Sequence, residues 1–273
     1  MRKIEAIKIT KAVTELVRKA SFFLRSDVLF ALRKSYAAEK NSRAREILKA
    51  ILDNAAYARK QKLAICQDTG LPVVFIEIGQ EVAVLGDLKA AVNKGVGEGY
   101  KKYYLRDSIV SDPLNRRKPE FSACIMHMNI VKGNKIKLTL LPKGFGCENK
   151  SQLKMFKPTA SIKEIKDFIV KVVRDAGADA CPPYVIGVGI GGTADYACIM
   201  AKKALLRKIS DKNSKLERDL LRQINKTGIG PMGLGGINTV LAVHIQMHPT
   251  HIAGLPVAVN ISCHALRSAS VTL

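Results

Sequence analysis

The chain has 273 residues and a mass of 29.8 kDa, with 47% hydrophobic and 25% charged residues. This composition is typical of a globular protein and excludes a wholly disordered chain. No apolar run approaches the roughly 20 residues of a membrane span, and the charged N-terminus excludes a secretory signal. Six cysteines without a CxxC pair indicate thiols in a reducing compartment, not a disulfide framework. We therefore expect a soluble cytoplasmic protein that does not contact a membrane.

The positive charge of the chain is large and unevenly distributed. Lys and Arg number 45 against 23 Asp and Glu, a formal charge of +22, whereas residues 228–273 carry one charged side chain, Arg267. A segment so poor in charge predicts core, active-site wall or subunit interface. The excess charge would attract nucleic acid, an acidic partner or a dianionic substrate. Aromatic residues are only 5% and no nucleic-acid-binding signature is visible, so a nucleic-acid-binding protein is the alternative and no specific nucleic acid is expected.

Helices and strands are predicted to alternate along the chain. The spacing of apolar residues predicts helices up to about residue 62, then a strand over LPVVFIEIG and a glycine-bearing helix from residue 88. FSACIMHMNIV and KIKLTLLP are predicted to form a strand pair joined by a turn at 132–134. The capping box Ser161-x-x-Glu164 opens a further helix. The second half then predicts the strands PYVIGVGIGG, INTVLAVHIQ and LPVAVNISC and the helices ADYACIMAKKALLRK and SKLERDLLRQI.

This order of elements predicts an α/β protein, with α+β as the possible variant. We expect a mixed sheet flanked by helices, with a helical N-terminal layer. No linker, repeat or low-complexity segment is visible, so residues 1–273 are predicted to form a single domain.

The first candidate site is the pattern Gly187-x-Gly189-x-x-Gly192, which follows a predicted strand and precedes a predicted helix. That context is typical of a dinucleotide-binding turn, and Asp211 lies near the position of the ribose-binding acid. A NAD(P)-dependent dehydrogenase is therefore a second alternative. The pattern is also compatible with a tight turn that binds nothing, or with a helix N-terminus that holds a carboxylate.

The second candidate is a pair of glycine-rich loops, residues 141–151 and 227–239. Their backbone N–H groups can converge on an anion, and Lys143 and Lys150 would add positive charge to the first loop. Neither loop has the P-loop spacing, so binding of a nucleoside triphosphate is not expected. The alternative is that both are long turns without a ligand.

The third candidate is the cysteines, which differ in their sequence context. Cys124 and Cys198 lie in apolar runs and are predicted to be core residues. Cys66, Cys181 and Cys263 lie at the ends of predicted elements, in polar or proline-containing segments. Thiolates at such positions can converge in space, and Cys147, inside a glycine loop, is a fourth possibility.

Five motifs taken together resemble the α subunit, or N-terminal catalytic half, of iron–sulfur hydro-lyases, the class I fumarate hydratases and L-tartrate dehydratases. The motifs are CQDTG, KGFGCENKS, CPPYVIGVGIGG, GIGPMGLGG and THIAGLPVAVNISCHALR, and the resemblance runs from about residue 5 to residue 270. It implies that Cys66, Cys181 and Cys263 hold a [4Fe-4S] cluster. Three thiolates leave one iron open to a substrate, whereas four would make an electron-transfer centre.

The same resemblance implies the residues that handle the substrate, a 2-hydroxy dicarboxylic acid such as (S)-malate, with L-tartrate as the alternative. It gives catalytic roles to Asp68, in proton transfer, and to His251. A guanidinium fork suits a carboxylate. Substrate binding is accordingly expected from a side-chain amide, a guanidinium and two backbone positions: Gln67, Arg106, Gly144 and Gly146.

Two departures from the family pattern are visible. Cys147 stands where the family usually has serine, and the stretch after DPL is shortened to RRKPEFSAC. Single-chain members of the family continue into a second, swivelling domain, which we expect to be a separate polypeptide here. The resemblance therefore implies an α subunit that needs a separate β subunit, in an α2β2 assembly.

Overall fold

The computed structural model describes residues 1–116, 118–119 and 123–273. The chain divides into two compact units. Unit 1 consists of Met1–Arg25, Ala55–Phe145 and Arg267–Leu273, and unit 2 consists of Ser26–Asn54 and Gly146–Leu266. Both units combine helices with β-sheet, which confirms the predicted mixed α/β class. A single catalytic domain over residues 1–273 stays a prediction.

The helices predicted at the N-terminus are present as α1 (Ala6–Phe22) in unit 1, α2 (Ser26–Ala38) in unit 2 and α3 (Ser42–Gln61), whose residues are divided between the two units. A short strand that the sequence pattern does not reveal, β1 (Arg2–Glu5), precedes α1. It pairs in parallel with β3 (Val82–Leu85). Over the part of the chain that the structure covers, no helix combines the length and the apolar character that crossing a lipid bilayer demands.

A four-stranded mixed sheet forms the centre of unit 1. Its order is β10 (Ala269–Thr272), β5 (Ile136–Lys143), β2 (Leu71–Gly79) and β4 (Ile125–Val131). The predicted hairpin of the strands now labelled β4 and β5 is wrong. Strand β2 lies between them, parallel to β4 and antiparallel to β5, because its almost fully buried apolar run takes a partner on each edge.

The glycine-bearing helix α4 (Leu88–Lys102) packs on α1 in unit 1. A Cβ atom at Gly95 would lie 2.6 Å from the carbonyl oxygen of Thr10, and one at Gly99 would lie 2.7 Å from Cβ of Val17. The glycines that weaken the helical propensity of this segment are therefore the residues that allow α4 to approach α1 closely.

Unit 2 contains a second four-stranded sheet, in the order β6 (Gln152–Phe156), β9 (Leu255–Ser262), β7 (Tyr184–Gly192) and β8 (Val240–Thr250). Strands β7 and β8 are parallel, whereas β9 is antiparallel to β7. Besides α2 and the first part of α3, this unit contains the helices α5 (Phe145–Glu148, which begins on the last residue of unit 1), α6 (Ile162–Ala176), α7 (Ala194–Ala204) and α8 (Lys215–Asn225). The capping box predicted at Ser161 and Glu164 is confirmed at the start of α6.

The glycine pattern at 187–192 lies in the strand β7 itself, so its interpretation as a dinucleotide-binding turn is wrong. A Cβ atom at Gly187 would lie 2.0 Å from the carbonyl oxygen of Ala201, and one at Gly189 would lie 2.0 Å from that of Ala197. Both acceptors belong to α7. The glycines are thus explained by the close packing of α7 on β7, which needs no nucleotide.

Candidate active site

The Cys66–Gly70 segment, which connects α3 to β2 in unit 1, carries three of the predicted site residues. Cys66 and Asp68 are partly buried and Gln67 is exposed. The thiol of Cys66 lies 3.5 Å from Oε1 of Gln67, to which it can donate a hydrogen bond. Gly70 has a φ of +77°, and a Cβ atom there would lie 2.9 Å from the backbone nitrogen of Lys143. Glycine is therefore required where this segment passes over the end of β5.

Asp68 is held in place by backbone donors on both sides of its carboxylate. The amide nitrogen of Gly70 donates to Oδ1 over 2.9 Å, and that of Phe145 donates to Oδ2 over 2.9 Å. The predicted residue Gly144 is adjacent, since a Cβ atom there would lie 3.0 Å from Oδ2. The loop at the end of β5 thus supplies a backbone donor to Asp68, from Phe145, and the binding of substrate at Gly144 and Gly146 stays a prediction.

The carbonyl groups of the same segment accept hydrogen bonds from other parts of unit 1. The hydroxyl of Tyr100, on α4, lies 2.9 Å from the carbonyl oxygen of Thr69 and 3.0 Å from that of Gly70. Burial raises the pKa of the Tyr100 phenol far above its ordinary value, so it remains a donor at all physiological pH values. Nη2 of Arg267 donates to the carbonyl oxygen of Asp68 over 2.7 Å.

Arg106 joins this region through its backbone. The hydroxyl of Thr69 donates to the carbonyl oxygen of Arg106 over 2.6 Å, while the Arg106 side chain is exposed. The structure therefore brings Cys66, Gln67, Asp68, Arg106 and Gly144 to one region of unit 1, at the start of β2. Sequence reasoning did not assign roles to Thr69, Tyr100 or Arg267; the single charge in the tail was the signal that could have marked Arg267.

Two further predicted ligands lie together at one end of the unit 2 sheet. Cys181 immediately precedes the proline pair that leads into β7, and Cys263 directly follows β9. The backbone nitrogen and Nδ1 of His264 lie 3.3 Å and 3.1 Å from the carbonyl oxygen of Cys181. Cys181 has a φ of +57°, an uncommon value for a residue with a side chain. Such conformations concentrate at functional sites.

Cys147 and the loop at 227–239 adjoin the turn that contains Cys181. The buried thiol of Cys147 donates to the carbonyl oxygen of Ala180 over 3.4 Å, and the amide of Met232 donates to that of Pro182 over 2.9 Å. The backbone N–H groups of Gly230, Gly235 and Ile237 are bonded to protein acceptors. The 227–239 loop therefore supports the Cys181 turn, and these three donors are not available to an anion.

The two lysines of the first glycine loop have different environments. Lys143 is 2% exposed, at the end of β5 in unit 1. Lys150 forms an ion pair with Asp179 in unit 2, with 2.7 Å between Nζ and Oδ2. Gly146 lies within the short helix α5.

His251 lies at the opposite end of the unit 2 sheet from Cys181 and Cys263. It occupies the turn between β8 and β9, is exposed, and accepts a hydrogen bond at Nδ1 from the amide of Ala253 over 3.2 Å. The strand register pairs Thr250 with Gly192, the last residue of β7. At about 3.3 Å per residue, the length of β7 separates the two ends by roughly 26 Å. The possibility that His251 is a core residue is wrong.

The remaining cysteines are consistent with other roles. Cys124 is buried, and burial raises the pKa of its thiol to about 11, so that it stays protonated and is a poor metal ligand. Cys198 is exposed on α7, which contradicts its prediction as a core residue. Within residues 1–116, 118–119 and 123–273, no three His, Cys, Asp or Glu side chains form a group that could hold a metal ion. The assignment of Cys66, Cys181 and Cys263 as ligands stays a prediction.

Comparison with known proteins identifies the family. A family model described as "Fumarate hydratase (Fumerase)" matches residues 10–272. The chain belongs to the fumarate hydratase family. It is similar to the "Putative L(+)-tartrate dehydratase subunit alpha" of Methanocaldococcus jannaschii, with 40% identity over 96% of each chain. It is also similar to the "L(+)-tartrate dehydratase subunit alpha" of Escherichia coli strain UTI89, with 29% identity over 95% of this chain and 89% of the relative.

Membership of the family establishes the class of reaction. Both the family and these relatives are named for the removal or addition of water at a hydroxy acid, so the chain is a hydro-lyase. The resemblance seen in the five sequence motifs is thereby confirmed. Much of the shortened RRKPEFSAC segment, where the chain departs from the family pattern, lies outside the described residues, at 117 and 120–122.

Proposed function

We propose that the chain is the α subunit of a [4Fe-4S] hydro-lyase that reversibly dehydrates a 2-hydroxy dicarboxylic acid. The first candidate substrate is (S)-malate, which yields fumarate. The second is L-tartrate, favoured by the names of the two relatives above. The observation that carries the proposal is the grouping of Cys66, Gln67, Asp68 and Arg106 in one region of unit 1, where other elements of the same unit fix the backbone.

The donor set fits an iron–sulfur cluster. Cys66, Cys181 and Cys263 are partly buried thiols in loops at the ends of elements, and thiolates are the ligands that hold such clusters. His264 links the Cys181 and Cys263 segments within unit 2. When bound, a three-thiolate cluster supplies an open Lewis-acid iron for a carboxylate and the departing hydroxyl. We propose these three cysteines as its ligands.

The residues of unit 1 would bind and orient the substrate. The exposed guanidinium of Arg106 suits a bidentate contact with one carboxylate, and the exposed amide of Gln67 can donate to a carboxylate or hydroxyl. Asp68, held by two backbone amides, would carry a proton of the departing water. Dehydration breaks a C–H bond and the neighbouring C–OH bond, forms the C=C bond and releases water with no net redox change. The base that takes the carbon-bound proton is proposed to lie on the β subunit.

The position of His251 in unit 2 supports the proposed pairing of two α chains. A separation of roughly 26 Å excludes direct contact between His251 and a substrate held at Cys181 and Cys263 of the same chain. We propose that His251 reaches the site of a second copy of this chain. Two α chains related by a two-fold axis would exchange this contribution in both directions, which agrees with an α2β2 assembly.

The test is anaerobic reconstitution with iron and sulfide, performed on the chain alone and on the chain co-expressed with a β subunit. We expect both preparations to bind iron and only the second to turn over a panel of dicarboxylic acids. Replacing Cys66, Cys181 or Cys263 by Ser should remove the visible thiolate-to-iron absorbance. Cys198→Ser, at an exposed position of α7, is the matched control and should retain it.

Several results would contradict the proposal. Normal iron content in Cys181→Ser would exclude that residue as a ligand, and full activity of the isolated chain would exclude a required β subunit. Turnover of L-tartrate but not of malate would select the second candidate substrate.

A further inference from the structure

Arg267 is the only charged residue in the last 46 residues of the chain, and it is buried. It is 3% exposed and directly follows the segment that contains Cys263. In unit 1 its Nη2 donates to the carbonyl oxygen of Asp68 over 2.7 Å. A residue from the C-terminal end of the chain therefore fixes the backbone at a position 199 residues earlier.

The other nitrogen atoms of this guanidinium lack acceptors. Among the described residues, Nε and Nη1 of Arg267 are buried and form no hydrogen bond. Burying a cation without a paired anion is costly, and a buried arginine that only stabilises a fold is normally paired. A partly buried arginine of unit 2 follows that pattern, because Nη1 of Arg207 donates over 2.5 Å to the buried carboxylate of Glu217.

We propose that Arg267 is a positioning residue of the active site, which fixes the Asp68 carbonyl group and keeps beside the Cys66–Gly70 segment a positive charge that is not hydrogen-bonded to a carboxylate among the described residues. This charge acts on the anions that the site must gather, which are a substrate dianion and thiolate ligands. The identity of those anions rests on the proposed function, whereas the fixing of the backbone does not. In a medium of low dielectric constant, a unit charge acts over several ångströms without direct contact.

A neighbouring tyrosine gives independent support for this placement. Tyr100 contacts the carbonyl groups of Thr69 and Gly70, and the nearby charge of Arg267 partly offsets the rise that burial causes in the pKa of its phenol. Arg267 and Tyr100 thus hold successive carbonyl groups of one segment. Tyr100 shows that a neutral donor can hold a carbonyl group of this segment. The positive charge of Arg267 is therefore not needed for the hydrogen bond itself and requires another role.

Hydrogen exchange of the unloaded chain tests the positioning role without any activity. The readouts are the amides of Gly70 and Phe145, both bonded to the Asp68 carboxylate. We expect Arg267→Met to accelerate their exchange at least 10-fold, and Arg267→Lys to restore most of the protection. Arg18→Met is the control, because Arg18 belongs to the same unit and its Nε is paired with Glu15. Unchanged exchange in Arg267→Met would overturn the proposal.

A third variant separates the hydrogen bond from the charge. Arg267→Gln retains an N–H donor for the Asp68 carbonyl group but is neutral. In the reconstituted complex with the β subunit, we expect Arg267→Gln to raise KM for the dicarboxylate at least 10-fold with a smaller change in kcat. Arg267→Lys should raise KM less than 3-fold.

The two readouts keep the inference separate from the proposed function. If Arg267→Met does not fold, the exchange rates and KM of Arg267→Gln and Arg267→Lys decide between the two roles. An unchanged KM in Arg267→Gln would overturn the role of the charge. If the wild-type complex binds no iron and turns over no dicarboxylate, the proposed function fails, and hydrogen exchange still decides whether Arg267 positions the segment.

Discussion

The amide nitrogen of Phe145 donates a 2.9 Å hydrogen bond to Oδ2 of Asp68, 77 residues earlier in the chain. This bond joins the end of β5 to the segment that precedes β2. With the second bond from Gly70, it leaves the carboxylate in one orientation. Both oxygens of the Asp68 side chain therefore act as hydrogen-bond acceptors.

The first prediction is that Asp68→Asn disrupts this arrangement. One oxygen would become an NH2 group that faces a backbone N–H, so we expect a stability loss of about 1–3 kcal/mol. Loss of a proton-transfer group should lower kcat on the order of 100-fold or more. The measurements are urea unfolding of the chain and steady-state kinetics with the β subunit.

Asp112→Asn is the matched control for this change. Asp112 also accepts two backbone N–H groups, from Leu114 and Asn115, but in an exposed loop. We expect the kcat of the Asp112→Asn variant to stay at the wild-type level. Equal kinetics for wild type and Asp68→Asn would show that Asp68 is only a structural acceptor.

The second prediction concerns the guanidinium of Arg106. Arg106→Lys keeps the positive charge and loses the bidentate fork, so activity should fall at least about 10-fold, because a hydrogen bond to a charged group contributes about 1.5–3 kcal/mol. Iron content after reconstitution should not change. Wild-type turnover in this variant would show that the exposed Arg106 side chain does not bind substrate.

The third prediction concerns the close packing of α7 on β7. In Gly189→Ala the new Cβ would lie 2.0 Å from the carbonyl oxygen of Ala197, so the helix must move away from the strand. We expect a stability loss of about 3 kcal/mol or more in urea unfolding. Gly254→Ala, where the nearest atom is 4.0 Å away, should change stability little. NAD(P) binding by the wild-type protein would contradict this structural explanation of the glycines.

The fourth prediction is a dependence of stability on pH that originates at Glu217. Burial acts to raise the pKa of this carboxyl group, but hydrogen bonds from the amides of Ile245 and Ser214 and from Arg207 outweigh it, and the pKa is lowered from 4.5. A lowered pKa in the folded state means that the stabilisation is present above pH 4.5. It is lost as the pH falls through the folded value.

Glu217→Gln should therefore lower the free energy of unfolding at pH 7 by about 2–4 kcal/mol, since it removes the carboxylate charge that pairs with Arg207. The difference from wild type should shrink as the pH falls below 4.5, measured by urea unfolding at several pH values. Glu164→Gln alters the same kind of capping box at an exposed helix start and is the control. An equal effect of both variants would exclude burial as the cause.

The sequence predicted the features that depend on local chemistry. Residues close together in the chain determine the N-terminal helices and the capping box of α6. They also determine the positions of Cys66, Cys181 and Cys263 at the ends of elements. Strand order is not determined in this way, because β2 separates β4 from β5 through pairing over long range. Arg267 was missed for the same reason, since its acceptor lies 199 residues away.

The glycines of β7 show why a motif cannot be interpreted without its context. Gly187 and Gly189 have the spacing of a dinucleotide-binding turn, yet the carbonyl groups that would meet their Cβ atoms belong to α7. Close approach of a helix and close approach of a pyrophosphate impose the same requirement on the backbone. Only the position of the glycines within the strand distinguishes the two causes.

The last prediction tests whether His251 serves a second copy of the chain. Cys181→Ser and His251→Ala α chains should each be inactive with the β subunit. If they are unfolded together, refolded and reconstituted, random pairing gives mixed dimers in which one of the two sites has an intact Cys181 and an intact His251. We expect activity to return to about one quarter of the wild-type level, as two-fold symmetry requires.

A mixture of the Cys181→Ser and Cys263→Ser chains is the control and should recover no activity. Both cysteines lie at the same end of the unit 2 sheet, so each chain would lack one of its own proposed ligands. No recovery in the first mixture would place His251 outside the shared site, and its exposed position between β8 and β9 would then need another explanation.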